Sequence, residues 1–462
     1  LAVGQRLGFA PGAWQSLTER QMTVGRAAQV AGAGVIEAVD DVDHRFAPVV
    51  HQHRRIVIAA RFHPLAGDPA VFRAVDFESG VAQKLDGDLA IDFIVLHQQH
   101  AGTAQGLAAV AAGQPYDIMT SGFIAGILEY IHAGAIVPVT DLVKKYDWGK
   151  KAAWEYQGEN WYYPFDYNLV VNYYRKDLYA QKGLKIPETW DDFLKNCQAL
   201  TVVNGGNVDV GGCVIPLASD SSTNWASFGN MFAEGAELFD KDWNVVFDQG
   251  ENADRATRFL DFYGELYKTM PPGMNAVSYA QLMSLFVTGK AAHSVYSGRL
   301  VEALEATNPE LADKYGIFPS PGSTGQKALS YAFDGFCVGK SNQSEEAIKF
   351  LQWFAEEHYV DWLLSAWMNN HPARLDIYEN ERWKSHPMIK KHWNTMMTMK
   401  SYIEGDNIKI MAIDTSGPSI DMRACNVFIA NVMPEMLQQK VLGNASSADC
   451  VAATAQRIRS VI

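Results

Sequence analysis

The sequence is short of several things, and each shortage removes a class of function. No stretch of its 462 residues comes near the roughly 18–20 uninterrupted apolar residues that a membrane-spanning helix needs. Positive charge is scarce: 39 Lys and Arg stand against 52 Asp and Glu, a formal net charge of −13. Phosphate backbones need a basic face, so no nucleic-acid partner is expected. Cysteine is confined to Cys197, Cys213, Cys337, Cys425 and Cys450, without the C-x-x-C spacing of a zinc or redox site. An oxidising environment allows a Cys197–Cys213 disulfide, although an odd count leaves one thiol over; buried free thiols are the alternative. There is no G-x-S-x-G elbow and no H-E-x-x-H, and Gly289-Lys290 lacks the preceding glycine of a Walker loop. The opening Leu1-Ala2-Val3-Gly4-Gln5-Arg6 shows no basic-then-apolar secretory signal, so export is not legible here.

The first hundred residues lack more. No tyrosine precedes Tyr116, no asparagine precedes Asn160, and Lys84 is the only lysine among them. Histidine is in excess there (His44, His51, His53, His63, His97 and His100). Apolar runs at 56–60 and 91–96 have the composition of strands, but their flanks carry no coherent turn or capping chemistry. Residues 1–100 are therefore expected to be an atypical segment, divergent or out of frame, that does not carry the first strand and helix of the fold. His51-x-His53 and His97-x-x-His100 have metal-ligand spacing, yet the skewed composition accounts for them; no metal and no cofactor is expected.

What is there reads as α/β. The length predicts two or three lobes, and 48% hydrophobic with 20% charged residues is an ordinary globular balance. A helix former at 104–112 stops at Gly113 and Pro115, a strand follows at 116–119, and a helix at 123–132 closes at Gly134. Residues 170–174 read as a strand by their β-branched and aromatic content. Thr189 with Asp192 three residues on makes a capping box, ahead of Trp190, Phe193, Leu194, Cys197 and Leu200 at helical spacing. Ser344 is expected to cap another helix, and one capped near Ser447 closes the chain, burying Val451, Ala455 and Ile458. This alternation predicts helices covering mostly parallel sheets.

Four stretches, in order, resemble family 1 of the extracellular solute-binding proteins, the maltose-binding group of ABC importers. They are Ala108 through Gly113-Gln114-Pro115-Tyr116-Asp117-Ile118; Tyr163-Pro164-Phe165-Asp166-Tyr167-Asn168 continuing to Pro187-Glu188-Thr189-Trp190; Phe286-Val287-Thr288-Gly289-Lys290 leading to Ser297-Gly298-Arg299; and Phe333-Asp334-Gly335-Phe336 through His371-Pro372-Ala373-Arg374. The resemblance covers residues 101–462. It implies a two-lobed α/β fold of the periplasmic-binding type, with ligand in the cleft between lobes. The implied lobes are 101–205 with a return segment around 285–335, and 206–462, mostly helical toward the C-terminus. It also implies a periplasmic or cell-surface monomer, not an enzyme, that captures a sugar or polyol and delivers it to ABC permease subunits at the membrane.

A sugar pocket needs aromatic planes and planar hydrogen-bonding groups. By their place in the resembling stretches, Tyr167, Asn168, Ser297, Gly298, Arg299, Asp334 and Arg374 are expected substrate-binding residues; the resemblance adds Asp220, Ser222 and Trp225, in a Ser/Thr/Asn-rich loop before a helix where the family makes hydroxyl contacts and stacking, and Ser121 ends the first reliable strand. Arg299 stands where relatives carry an aromatic, and a surface ion pair is its plain alternative. The competing function is a glycoside hydrolase, which requires two carboxylates about 5–10 Å apart. Nothing in the sequence marks such a pair.

Overall fold

The computed structural model describes residues 57–64, 89–96 and 99–462, apart from 206 and 444. Among these residues the first strands are β1 (Val57–Pro64), β2 (Leu89–Leu96), β3 (Ile118–Ser121), β4 (Ile136–Val137) and β5 (Tyr163–Pro164). Then come β6 (Asn168–Arg175), the ribbon β7 (Val202–Asn204) and β8 (Asn207–Val210), and β9 (His293–Tyr296). β10 (Tyr315–Phe318), β11 (Ser320–Pro321), β12 (Lys327–Ala332), β13 (Gly335–Gly339) and β14 (Lys409–Met411) follow.

They form two main sheets. The first has the order β2-β1-β3-β13-β4, with β5 also on β13; the second has the order β10-β6-β12-β11, with β9 on β6 and β14 on β12. The chain leaves the first sheet between β5 and β6 and returns between β12 and β13. Outgoing and returning segments lie side by side, Pro164 opposite Gly335 and Asn168 opposite Ala332.

That crossing corrects two expectations. Neighbouring outgoing and returning strands must run in opposite directions, so ladders such as β6–β12, β3–β13 and β4–β13 are antiparallel, and β12–β14 is parallel. The sheets are therefore not mostly parallel. Sheet membership also departs from a division at 205: β6 already belongs to the second sheet, and the first is rejoined at Gly335 rather than near 285. β1 and β2 lie in the first sheet, with Ala60 opposite Ile118, so part of the segment 1–100 does supply strands. His51 and His53 fall outside the described residues.

Local chemistry explains the helices. At Trp190–Leu200 the capping box is present: the Asp192 amide donates to Thr189 Oγ1 at 3.2 Å, and the Thr189 amide to Asp192 Oδ2 at 3.1 Å. Trp190, Phe193, Cys197 and Leu200 form its buried stripe. The last helix, Ser447–Val461, is capped by Ser446, whose hydroxyl accepts from the Asp449 amide at 3.1 Å; Val451, Ala455 and Ile458 are buried as expected. Ser344 is the first residue of its helix, with Gln343 at the cap position. Behind the crossing, Phe165, Phe336, Phe354 and Trp362 pack ring against ring at 4.6–6.3 Å. Each such buried aromatic contributes about 2–3 kcal/mol by area alone.

Candidate functional site

The two crossing segments are laced together by a buried polar knot. The Asp334 amide donates to Asp166 Oδ1 at 2.7 Å, and Asn168 Nδ2 donates to Asp166 Oδ1 and Asp334 Oδ2, both at 3.1 Å. The Phe165 amide donates to the Asp334 carbonyl at 2.9 Å. These bonds tie the two segments together at the crossing, while Asn168 Oδ1 is buried with no partner among the described residues.

Beside this knot lies a small, partly open cavity with room in its present form for one water at most. Gly122, Phe123 and Ile124 form its first-sheet wall, at the start of the Ile124–His132 helix. Tyr331, Ala332 and Phe333 line it from the crossing, and Ala412, Asp414 and Thr415 from the turn after β14. Phe333 stacks on Tyr162, centroids 5.0 Å apart at 16°, and Phe123 packs on Phe428 at 4.6 Å. The Tyr331 hydroxyl pairs with the Thr415 side chain.

Asp414 is the group of greatest chemical interest. It is buried, and its Oδ2 accepts from the Ala125 amide at 3.3 Å, with the Ile124 amide also directed at the carboxyl. Burial pushes its pKa up to about 6, against the pull of those helix N–H groups. A carboxyl, a hydroxyl pair and flat ring faces in one wall suit hydroxyls and C–H faces of a small polyhydroxylated molecule. The glycosidase reading finds no support: Asp414 is the single carboxylate among the residues lining this cavity, where hydrolysis requires two. Among the described residues no group of three His, Cys, Asp or Glu side chains could hold a metal.

Residues 83–360 match the family described as bacterial extracellular solute-binding protein. The chain belongs to that family. The match begins at residue 83, so the family's span takes in 83–100, which the sequence reading had set aside. Among curated relatives, the mannitol-binding protein of Pseudomonas aeruginosa is 25% identical over 295 residues, 61% of this chain and 65% of that protein. The Escherichia coli putative ABC transporter periplasmic-binding protein YcjN is 20% identical, over 63% of this chain and 64% of that one. The chain thus spans under two thirds of the length of each. A solute-binding protein of Agrobacterium vitis with bound D-mannitol superimposes with a TM-score of 0.58 at 20% identity, covering 79% of this chain and 89% of that one. One from Agrobacterium radiobacter in complex with ribitol gives 0.62 at 17%, covering 79% and 90%. These likenesses show the fold, the two-lobed one of the solute-binding family.

Against that family cleft, the expected residues scatter. Ser121 adjoins the cavity; its hydroxyl donates to the Phe123 carbonyl at 2.9 Å and shapes the turn into the Ile124–His132 helix. Asn168 and Asp334 belong to the knot. Tyr167 is core: fully buried, it donates to the Lys150 carbonyl at 2.5 Å. Arg374 is spent on structure, donating in a fork to Asp376 (2.9 and 2.5 Å) and to the Ala355 carbonyl at 2.6 Å, with its guanidinium 3.7 Å from the Tyr146 ring centre. Neither offers a ligand a free group.

The others lie on the second sheet's side, away from the cavity lining. Asp220 caps the short helix Ser221–Ala226, accepting from the Ser222 amide at 2.9 Å and the Ser222 hydroxyl at 2.6 Å. Trp225 is buried edge-on against Tyr296, centroids 5.1 Å apart. Ser297 donates to Asn369 Oδ1 at 2.9 Å, and a Cβ on Gly298 would lie 2.0 Å from the Met368 carbonyl oxygen. Arg299 begins the Arg299–Thr307 helix, its Nε buried with no partner among the described residues. The cavity lining adds Phe123, Tyr331, Phe333, Asp414 and Thr415, none of which the sequence singles out. A sequence signal existed only for Asp414, an acid directly after the apolar run Ile410-Met411-Ala412-Ile413.

Proposed function

We propose that this chain is the solute-capturing subunit of an ABC importer, acting outside the cytoplasmic membrane as a monomer. It takes a neutral sugar or polyol into the cleft at the strand crossing and presents it to membrane permease subunits. The observation that carries this reading is the cavity wall itself, where Asp414, Thr415 and Tyr331 stand next to the stacked ring of Phe333 beside the strand crossing. The mannitol, ribitol and D-tagatose bound by, or named for, similar proteins support the same ligand class. The cavity is too small for such a ligand as it stands, so capture requires the two sides to part about the Asp166–Asn168–Asp334 knot and close again.

The test is a thermal-shift panel of D-mannitol, ribitol, D-tagatose and maltose. A true solute at about 100 times its Kd adds about 2.7 kcal/mol of stability. Small-angle scattering with the responding solute should show a smaller radius of gyration. A flat thermal response across the panel would refute the reading.

A further inference from the structure

Away from the cleft, two of the five thiols meet. Cys197 lies in the Trp190–Leu200 helix, and Cys213 follows β8 in the segment that bridges β9 through Val214 and Ser294. Both are wholly buried. No side chain separates the two backbones: a Cβ on Gly212 would lie 2.1 Å from the Cys197 carbonyl oxygen. The Cys213 thiol is the side-chain hydrogen-bonding neighbour of the Cys197 thiol. His293 completes the group, with Nδ1 2.6 Å from the Gly212 carbonyl and 3.4 Å from Cys197 Sγ, and Nε2 2.6 Å from the Tyr179 hydroxyl. A nitrogen facing a carbonyl must carry the proton, so Nδ1 donates and Nε2 accepts from Tyr179. The imidazole is neutral and offers no cation to hold a thiolate.

We propose that Cys197 and Cys213 are a latent disulfide pair that closes while the chain is still folding, so that the folded protein keeps whichever state its folding compartment supplied. The reaction needs a disulfide-bearing oxidant, oxidised glutathione or a thiol–disulfide oxidoreductase. One protein thiolate attacks it, forming a mixed disulfide and releasing one oxidant thiol. The second protein thiolate then attacks the protein sulfur of that mixed disulfide and releases the other. Two electrons end on the oxidant and two protons leave the cysteines. In the folded state both steps stop, because burial raises the Cys197 thiol well above its usual range and solvent does not reach either sulfur. In the folded chain the other thiols lie in other elements: Cys337 is in β13, Cys425 in the Met422–Ile429 helix and Cys450 in the Ser447–Val461 helix.

The full chain is denatured and refolded with oxidised glutathione or with excess reductant, then alkylated with iodoacetamide in denaturant and mapped by mass spectrometry. After oxidative refolding Cys197 and Cys213 should be joined and unlabelled; after reductive refolding all five cysteines should be labelled. Reductively folded native protein exposed to the same oxidised glutathione should still label at both positions. In Cys213→Ser, Cys197 should be alkylated after reductive refolding and, after oxidative refolding, found either alkylated or as its glutathione adduct, never in an intramolecular disulfide. Labelling of Cys197 and Cys213 after oxidative refolding, or closure in the native protein as complete as in the folding chain, would overturn the proposal.

Discussion

Asp414→Asn separates what the buried carboxyl does for solute from what it costs the fold. A free aspartate loses its proton near 3.8, whereas Asp414 holds its own to about 6. Between those values the folded chain carries a proton that the unfolded chain has lost. Folding is therefore favoured at the acid end of the window and weakens as pH rises through it. Two units correspond to about 3 kcal/mol, fully felt above about pH 6. The helix N–H groups act the other way but supply about 0.3–2 kcal/mol, less than a buried carboxylate loses in solvation. The amide carries no charge, and its oxygen can still accept from Ala125. Asp414→Asn should thus match the wild type near pH 4 and exceed it by about 2–3 kcal/mol at pH 7.5.

Wild-type stability alone does not report this. His293 and His371 are buried, with pKa values lowered to about 4 and about 3, and they destabilise the fold as pH falls below about 6.5. Their effect overlaps the Asp414 window with the opposite sign. The difference between variant and wild type in urea unfolding, measured from pH 4 to 8, cancels them. At pH 7.5 the same substitution should weaken capture of a polyol, since an acceptor for hydroxyls is lost. A stability difference that stays constant with pH would refute the assignment of the raised pKa to Asp414.

Trp225→Ala should cost about 3–5 kcal/mol in thermal or chemical unfolding, as a cavity against Tyr296 requires, with affinity of the surviving fold unchanged. Arg374→Lys cannot reproduce the fork to Asp376 together with the Ala355 contact, and should destabilise by about 3 kcal/mol without altering solute preference. In Gly339→Ala the new methyl would lie 1.8 Å from the Tyr116 carbonyl oxygen, so the β13 edge must shift; a loss of about 2–4 kcal/mol is expected by calorimetry. Asn168→Ala removes the amide that joins Asp166 to Asp334, and should reduce the solute-induced change in radius of gyration more than it reduces melting temperature.

Local chemistry was legible in the sequence because it is written within a few residues: the Thr189–Asp192 box, the strand around Val170 and the buried stripe of the last helix all stand where expected. Distant pairings were not. Alternating strands and helices suggested parallel sheets, but the direction of β13 depends on a crossing visible only in three dimensions. The cavity lining was hidden for a related reason. Asp414 acquires its meaning from the Ala125 amide, 289 residues away in sequence. Tyr167, Trp225 and Arg374 have the right chemistry for sugar, and residue type does not tell which way a side chain faces. Before residue 100 the composition offers no turn or capping signal that would place β1 and β2 in the first sheet, and only residues 57–64, 89–96 and 99–100 of that segment are described.

The strand order has a consequence for how the chain is made. In the first sheet β13 stands between β3 and β4, so those two cannot close on each other and must wait for residues 335–339. In the second, β6 waits for β9, β10 and β12, and β12 in turn waits for β14 near residue 410. A ribosome working from the N-terminus therefore releases most of this polypeptide before either layer has its middle. Such long-separation pairing is slow to form and leaves strand edges open meanwhile. By this order the two layers can set only once the strands at 335–339 and 409–411 have emerged.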